Sequence, residues 1–351
     1  MGTSTRNSRV DSLRGIAALM VAGTHAMLVQ EVGGIRNIWQ HTILESLAGE
    51  AKIIQILYSL FNGNFAVMIF MVMSGWALSY SWLRKEPQLE QYFRKRILRI
   101  VPVYWISTTL LLILMYIGSV PTSMENSSLW WEMWLREKLS GEMIVRHLLF
   151  LSPGLGGSSW TLQPIVVGSL VFPFLYKWFS DGTRVKKLIL LLVNLLLIAW
   201  ITHKDLYILL AAMVAGISLG MSDSIKWLQG VRKIFIPTVF SVGVITRAIW
   251  QSRLVWIIEG IAAYLLLSNV ISLKTEFMPK YNWIVGVGRI SYSFYLWHFV
   301  VLYLMTPVVL RALGGNYIGI VINGLISILV TLPVAWISYQ IIERDYTKTS
   351  F

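Results

Sequence analysis

Arg9-Val10-Asp11-Ser12-Leu13-Arg14-Gly15-Ile16-Ala17-Ala18-Leu19-Met20-Val21-Ala22-Gly23-Thr24-His25-Ala26-Met27-Leu28-Val29 is the stretch on which the reading of this chain turns. An arginine and a histidine sit on one otherwise apolar helix, with ten residues between Arg14 and His25. Eleven helical steps cover about 16 Å, roughly half of a ~30 Å hydrocarbon core. If Arg14 lies at one membrane face, His25 lies near the middle. An ionisable side chain at that depth is costly and marks a functional site by default. Two roles suit His25: a core histidine hydrogen-bonded to a neighbouring helix, or a general base that takes a proton from a hydroxyl near neutral pH. Asp11 and Arg14, three apart, share a face of the same helix and suit a surface ion pair that anchors its inner end.

Composition fixes the setting of that helix. The chain has 351 residues, 56% of them hydrophobic and only 13% charged. That balance, repeated in long apolar runs, predicts an all-α polytopic membrane protein. The net charge of +13 then reflects basic loops retained on the cytoplasmic side and not nucleic-acid binding. With no cysteine in the chain, disulfides and thiolate metal sites are excluded, and no metal site is expected. The basic-then-apolar N-terminus resembles a secretory signal, yet it lacks a small-residue cleavage pattern and is expected to remain as the first span.

Ten runs are expected to cross the membrane, at about 10–30, 54–80, 98–118, 160–179, 187–202, 205–221, 233–250, 254–272, 284–306 and 317–342. They form a single domain over residues 1–351. Asn62-Gly63-Asn64 predicts a broken start to the second run, and the short 202–205 connection predicts a tight hairpin. The 119–159 loop carries Trp130, Trp131 and Trp134 on an amphipathic segment suited to the interface. With ten crossings and both termini cytoplasmic, 21 of the 30 lysines and arginines fall inside and 9 outside. This bias follows the positive-inside rule at every cytoplasmic loop.

Two further stretches carry chemistry. Arg94, Lys95, Arg96 and Arg99 precede the third span, where they attract anionic lipid. Arg96 and Arg99, on one helix face, would form with Arg14 a cytoplasmic site for phosphates. In Arg289-Ile290-Ser291-Tyr292-Ser293-Phe294-Tyr295-Leu296-Trp297-His298, nine steps of about 13 Å bring His298 to the depth of His25. Glu259 is the one acid well inside an apolar run. It suits either a pair with Arg247 or Arg253, or a functional role.

Together these stretches resemble the acyltransferase-3 family of integral membrane acyltransferases over most of the chain. The carriers are Asp11-Ser12-Leu13-Arg14-Gly15 with His25, Phe70-Met71-Val72-Met73-Ser74-Gly75-Trp76, and Arg96-x-x-Arg99-Ile100-x-Pro102-x-Tyr104. They continue with Ser159-Trp160-Thr161-Leu162 ahead of Gly168-Ser169-Leu170-Val171-Phe172-Pro173, and with Ile290 to His298. The resemblance implies ten helices in a membrane, expected to be the bacterial cytoplasmic membrane. It implies transfer of an acyl group, usually acetyl from acetyl-CoA, to a hydroxyl of a glycan or glycolipid. It points to His25 as the essential histidine, with Arg14 its companion and Arg96/Arg99 on the donor side. Asp11 and His298 are expected to support the site.

One position departs from the family pattern, which usually reads Trp-Ser/Thr-Leu-x-x-Glu. Here the acidic position falls on Ile165, which cannot orient a histidine. Another group then substitutes, or this copy is impaired or binding-only. Trp160 and the Trp-rich loop suit either an interfacial belt or sugar platforms. A second class, a transporter or flippase of a lipid-linked saccharide, would also use ionisable groups at the midplane. The partners expected are therefore acyl-CoA, a glycan or glycolipid acceptor and membrane lipids, with no nucleic acid. Direct transfer and an acyl-enzyme both remain open.

Overall fold

The computed structural model describes residues 8–45, 47, 49–84, 86–121, 124–135, 140–151, 159–178, 184–202, 205–221, 235–273 and 282–344. Among these residues there is no β-strand, only two isolated bridges. Every apolar run expected from the sequence carries helix. In chain order these are α1 (Ser8–Ala26), α2 (Gly49–Phe61), α3 (Gly63–Arg84), α4 (Leu89–Tyr116), α5 (Leu129–Leu135), α6 (Gly141–Leu148) and α7 (Ser159–Trp178). There follow α8 (Arg184–Thr202), α9 (Asp205–Met221), α10 (Phe235–Ile249), α11 (Arg253–Ser272), α12 (Trp283–Arg289), α13 (Ser291–Leu313) and α14 (Tyr317–Ser338). A π turn, Tyr339–Glu343, extends α14.

Five helical stretches are long and apolar enough to cross a membrane: α2 with α3, α4, α11, α13 and α14 with its π turn. Shorter apolar helices form α9, α10 and much of α8. The chain is an integral, multi-pass membrane protein. Helix α1 is not among the five, since Arg9, Asp11 and Arg14 all fall within it. It is instead the rod at the centre, buried over most of its residues and packed against α2, α3, α11, α12, α13 and α14. A helix covered on all sides can carry polar groups that lipid would reject.

Close backbone approach holds the bundle where lipid supplies no hydrophobic force between helices. On α3 and α9, a Cβ at Gly75 would lie 1.9 Å from the Met213 carbonyl oxygen, and one at Gly216 would lie 2.0 Å from that of Val72. Helices α1 and α12 meet in the same way at Gly15 and Gly288. Helices α8 and α9 pack together as a hairpin, with 203–204 outside the described residues.

Two breaks shape the interior. The second run is interrupted at Asn62, whose φ of 33° favours asparagine over most residues. Asn62 Oδ1 accepts from the Phe65 amide at 3.1 Å and so caps α3. Its Nδ2 donates to the Gly243 carbonyl at 2.8 Å and to Glu259 Oε1 at 2.9 Å. Glu259, fully buried, is also gripped by Arg247, with Nε to Oε1 and Nη2 to Oε2 both 3.1 Å. Of its two expected roles, Glu259 takes the structural one. The second break corrects the continuous span expected over 284–306. Ile290 separates α12 from α13 (φ −98°, ψ 10°), so Arg289 and His298 lie on different helices.

Candidate functional site

At the bottom of α1, Asp11 is 2% exposed. Its Oδ1 lies 3.5 Å from Arg14 Nη1, and its Oδ2 lies 4.0 Å from Arg289 Nε. The carboxylate is a buried clamp between α1 and α12, and not a surface pair. It also orients Arg14, which lines a cavity of about 460 Å³ between α1, α3, α4, α7 and the start of α13.

That cavity is graded. One end is basic, where Lys95, Arg96 and Arg99 project from α4 opposite Tyr80 and Ser81 of α3. The other end is apolar, formed by Val67, Phe70, Met71, Leu162 and Ile165. Along α3, the fifteen steps from Val67 to Trp82 cover about 22 Å. With Arg14 the wall carries four cations, and no acidic side chain is among the described residues that line it. Arg96 leans over the Tyr92 ring, 5.8 Å from its centroid. The three arginines expected to act together therefore line one cavity. Ile165, in place of the acid, belongs to the greasy wall of the same cavity.

His25 and His298 lie elsewhere, in a compact cluster above it. The matched depth expected of them becomes contact: His25 Nδ1 is 3.0 Å from His298 Nε2. His298, 3% exposed, also has Nδ1 at 3.3 Å from the Phe294 carbonyl oxygen. A carbonyl only accepts, so in the neutral pair His298 Nδ1 holds the proton. His298 Nε2 is then an acceptor, and His25 Nδ1 must donate to it. His25 is left with its lone pair on Nε2. A group that fixes this tautomer does what the carboxylate does in a hydrolase triad, without a charge.

Aromatic rings enclose the pair. Phe299 lies 4.5 Å from His25 and 4.3 Å from His298, centroid to centroid. Trp130 stacks on His25 at 5.4 Å and 22°. This corrects the interfacial role given to the Trp-rich loop: Trp130 and Trp131 are buried. Helix α5 folds back onto the end of α1 because Ser128 Oγ donates to the Leu28 carbonyl and Arg36 pairs with Glu132. Trp160 is half-buried on α7, edge-on to Trp256 at 5.9 Å, and lies outside the histidine cluster.

One residue touches both compartments. Tyr295 lines the cavity, and its ring lies 5.6 Å from that of His298. Its hydroxyl is 2.5 Å from Thr161 Oγ1. Sequence reading gave neither residue a role. The available signal was spacing, since Tyr295 and His298 are three apart and share a helix face. Trp130 had no such signal, because a loop brings it back to His25 from more than a hundred residues away.

The family model described as an acyltransferase domain (Acyl_transf_3) matches residues 7–340. No curated relative and no solved structure matches the chain.

Proposed function

Because the chain belongs to the acyltransferase-3 family of membrane acyltransferases, we propose that it moves an acetyl group from cytoplasmic acetyl-CoA to a hydroxyl of an envelope or exported glycan or glycolipid, with His25 as general base. The observation that carries this reading is the His25–His298 hydrogen bond, which leaves a basic nitrogen on His25, while Tyr295 stands between His298 and the apolar end of a strongly basic cavity. Arg14, Arg96 and Arg99, with Lys95, suit the phosphates of the donor. The apolar end suits the uncharged pantetheine arm and its thioester. We place the protein in a bacterial cytoplasmic membrane, as one domain with ten crossings and both termini inside, on the strength of the charge bias across its loops.

In this mechanism the acceptor arrives from the outer side, and Trp160, half-buried on α7, is the aromatic residue proposed to meet its sugar ring. Its hydroxyl gives a proton to His25 Nε2 as the oxygen attacks the thioester carbonyl. Transfer is direct, since the fixed tautomer supplies a base for the acceptor without a protein nucleophile. Replacing His25 with Ala should abolish acetylation while the protein still inserts in the membrane. Glycan mass spectrometry of cells carrying wild-type or variant protein tests this. A gained acetyl mass that survives the substitution rejects the base, and altered leaflet distribution without added mass indicates transport instead.

A further inference from the structure

The donor cavity and the histidine pair need a shared boundary at which the carbonyl reacts, and one polar pair stands there. Tyr295 and Thr161 close the apolar end of the cavity with hydroxyls 2.5 Å apart. Phe70 packs edge-on against Tyr295 from the cavity side at 6.2 Å, and His298 packs against it from the other at 5.6 Å. Thr161 comes from α7 and Tyr295 from α13, so a second helix fixes the position of the phenol. Around it the wall is Val67, Met71, Leu162 and Ile165. Hydrogen-bond donors bordering an otherwise apolar end act where their effect on developing charge is largest.

Resting on the transferase reading above, we propose that Tyr295 is a further catalytic residue, whose phenol donates a hydrogen bond to the thioester carbonyl oxygen during transfer. The acceptor oxygen forms the new C–O bond as its proton passes to His25 Nε2. The carbonyl π pair moves onto oxygen, where the Tyr295 O–H meets it in place of Thr161. Collapse of that intermediate breaks the C–S bond. The proton held by His25 goes to the departing thiolate, so the products are an ester and free CoA thiol. Thr161 is a positioning residue that holds the phenol at the end of the cavity between turnovers.

The test uses full-length protein in native membranes, with radiolabelled acetyl-CoA as donor and the same membranes as source of acceptor. Tyr295→Phe keeps the ring against Phe70 and His298 and removes only the hydroxyl. Turnover should fall about 100-fold, the usual loss for one oxyanion donor. The donor concentration giving half-maximal rate should stay within about twofold, as for an interaction made only in the transition state. Thr161→Val should lose less, and Thr161→Ser should restore the wild-type rate. If His25→Ala is inactive while Tyr295→Phe keeps wild-type turnover, or loses rate only through weaker donor use, the Tyr295 role is overturned and the base stands. If the wild-type protein transfers no label, both readings fall.

Discussion

The His25 imidazole has two nitrogens, and only the one without a hydrogen can take a proton from a bound hydroxyl. His298 decides which that is, through a chain that ends on the Phe294 carbonyl. Replacing His298 with Ala should cost about 100-fold in turnover, at the lower end of what a general base contributes, with donor saturation unchanged. His298→Gln, whose carboxamide oxygen can accept from Nδ1, should recover part of that rate in the same label-transfer assay. On the proposed reading Ile165→Glu should not raise activity, because His298 already holds the His25 tautomer and position 165 lines the arginine cavity, apart from the histidine pair. A gain in rate from Ile165→Glu would mark the natural chain as impaired. That the two histidines would lie at one depth was legible because an ionisable residue in an apolar run has few uses. That Arg96 and Arg99 would line one cavity was legible from their shared helix face. Tyr295 and Trp130 were not, since an aromatic residue in a membrane helix or loop is ordinary until its partner is known.

Helix α3 owes its start to Asn62, and Asn62 owes its geometry to the Glu259–Arg247 pair on α11 and α10. Removing one partner of a buried pair leaves the other charged and unpaired, at a cost of about 3–5 kcal/mol. Glu259→Ala should therefore lower the melting temperature in detergent sharply, read by thermal-shift or static scattering, and Glu259→Gln should do less harm. Gly216→Val forces a side chain onto the Val72 carbonyl and should destabilise by about 1–3 kcal/mol through overpacking. The interruption at 62–64 was readable from Asn-Gly-Asn, whose residues tolerate the backbone it needs. The separation of α12 from α13 at Ile290 was not, because Arg289-Ile290-Ser291 contains no glycine or proline to mark it. Beside that boundary Gly288 packs against the Asp11 carbonyl, a contact with a distant helix that the local sequence does not encode.

Across the whole molecule, charge and hydropathy divide the chain more plainly than any motif does. The absence of cysteine makes the topology directly testable. With the termini cytoplasmic, Glu125→Cys should react with an impermeant maleimide in intact cells, and Glu86→Cys only after permeabilisation. The four cations of the cavity predict that donor affinity falls as salt rises, measurable by calorimetry with acetyl-CoA. The helical architecture was legible because each span must bury its own backbone hydrogen bonds. The rotation of each helix about its axis was not, and it is this rotation that directs Arg14 towards the cavity and His25 towards α13. The Tyr295 partition also bears on economy in the cell. On the proposed reading, a base held behind Tyr295 acts on the ester only when an acceptor hydroxyl bridges the two. Acetyl-CoA incubated with the protein in the absence of any sugar should thus persist, and the cytosolic pool should be drawn down only as fast as new glycan arrives.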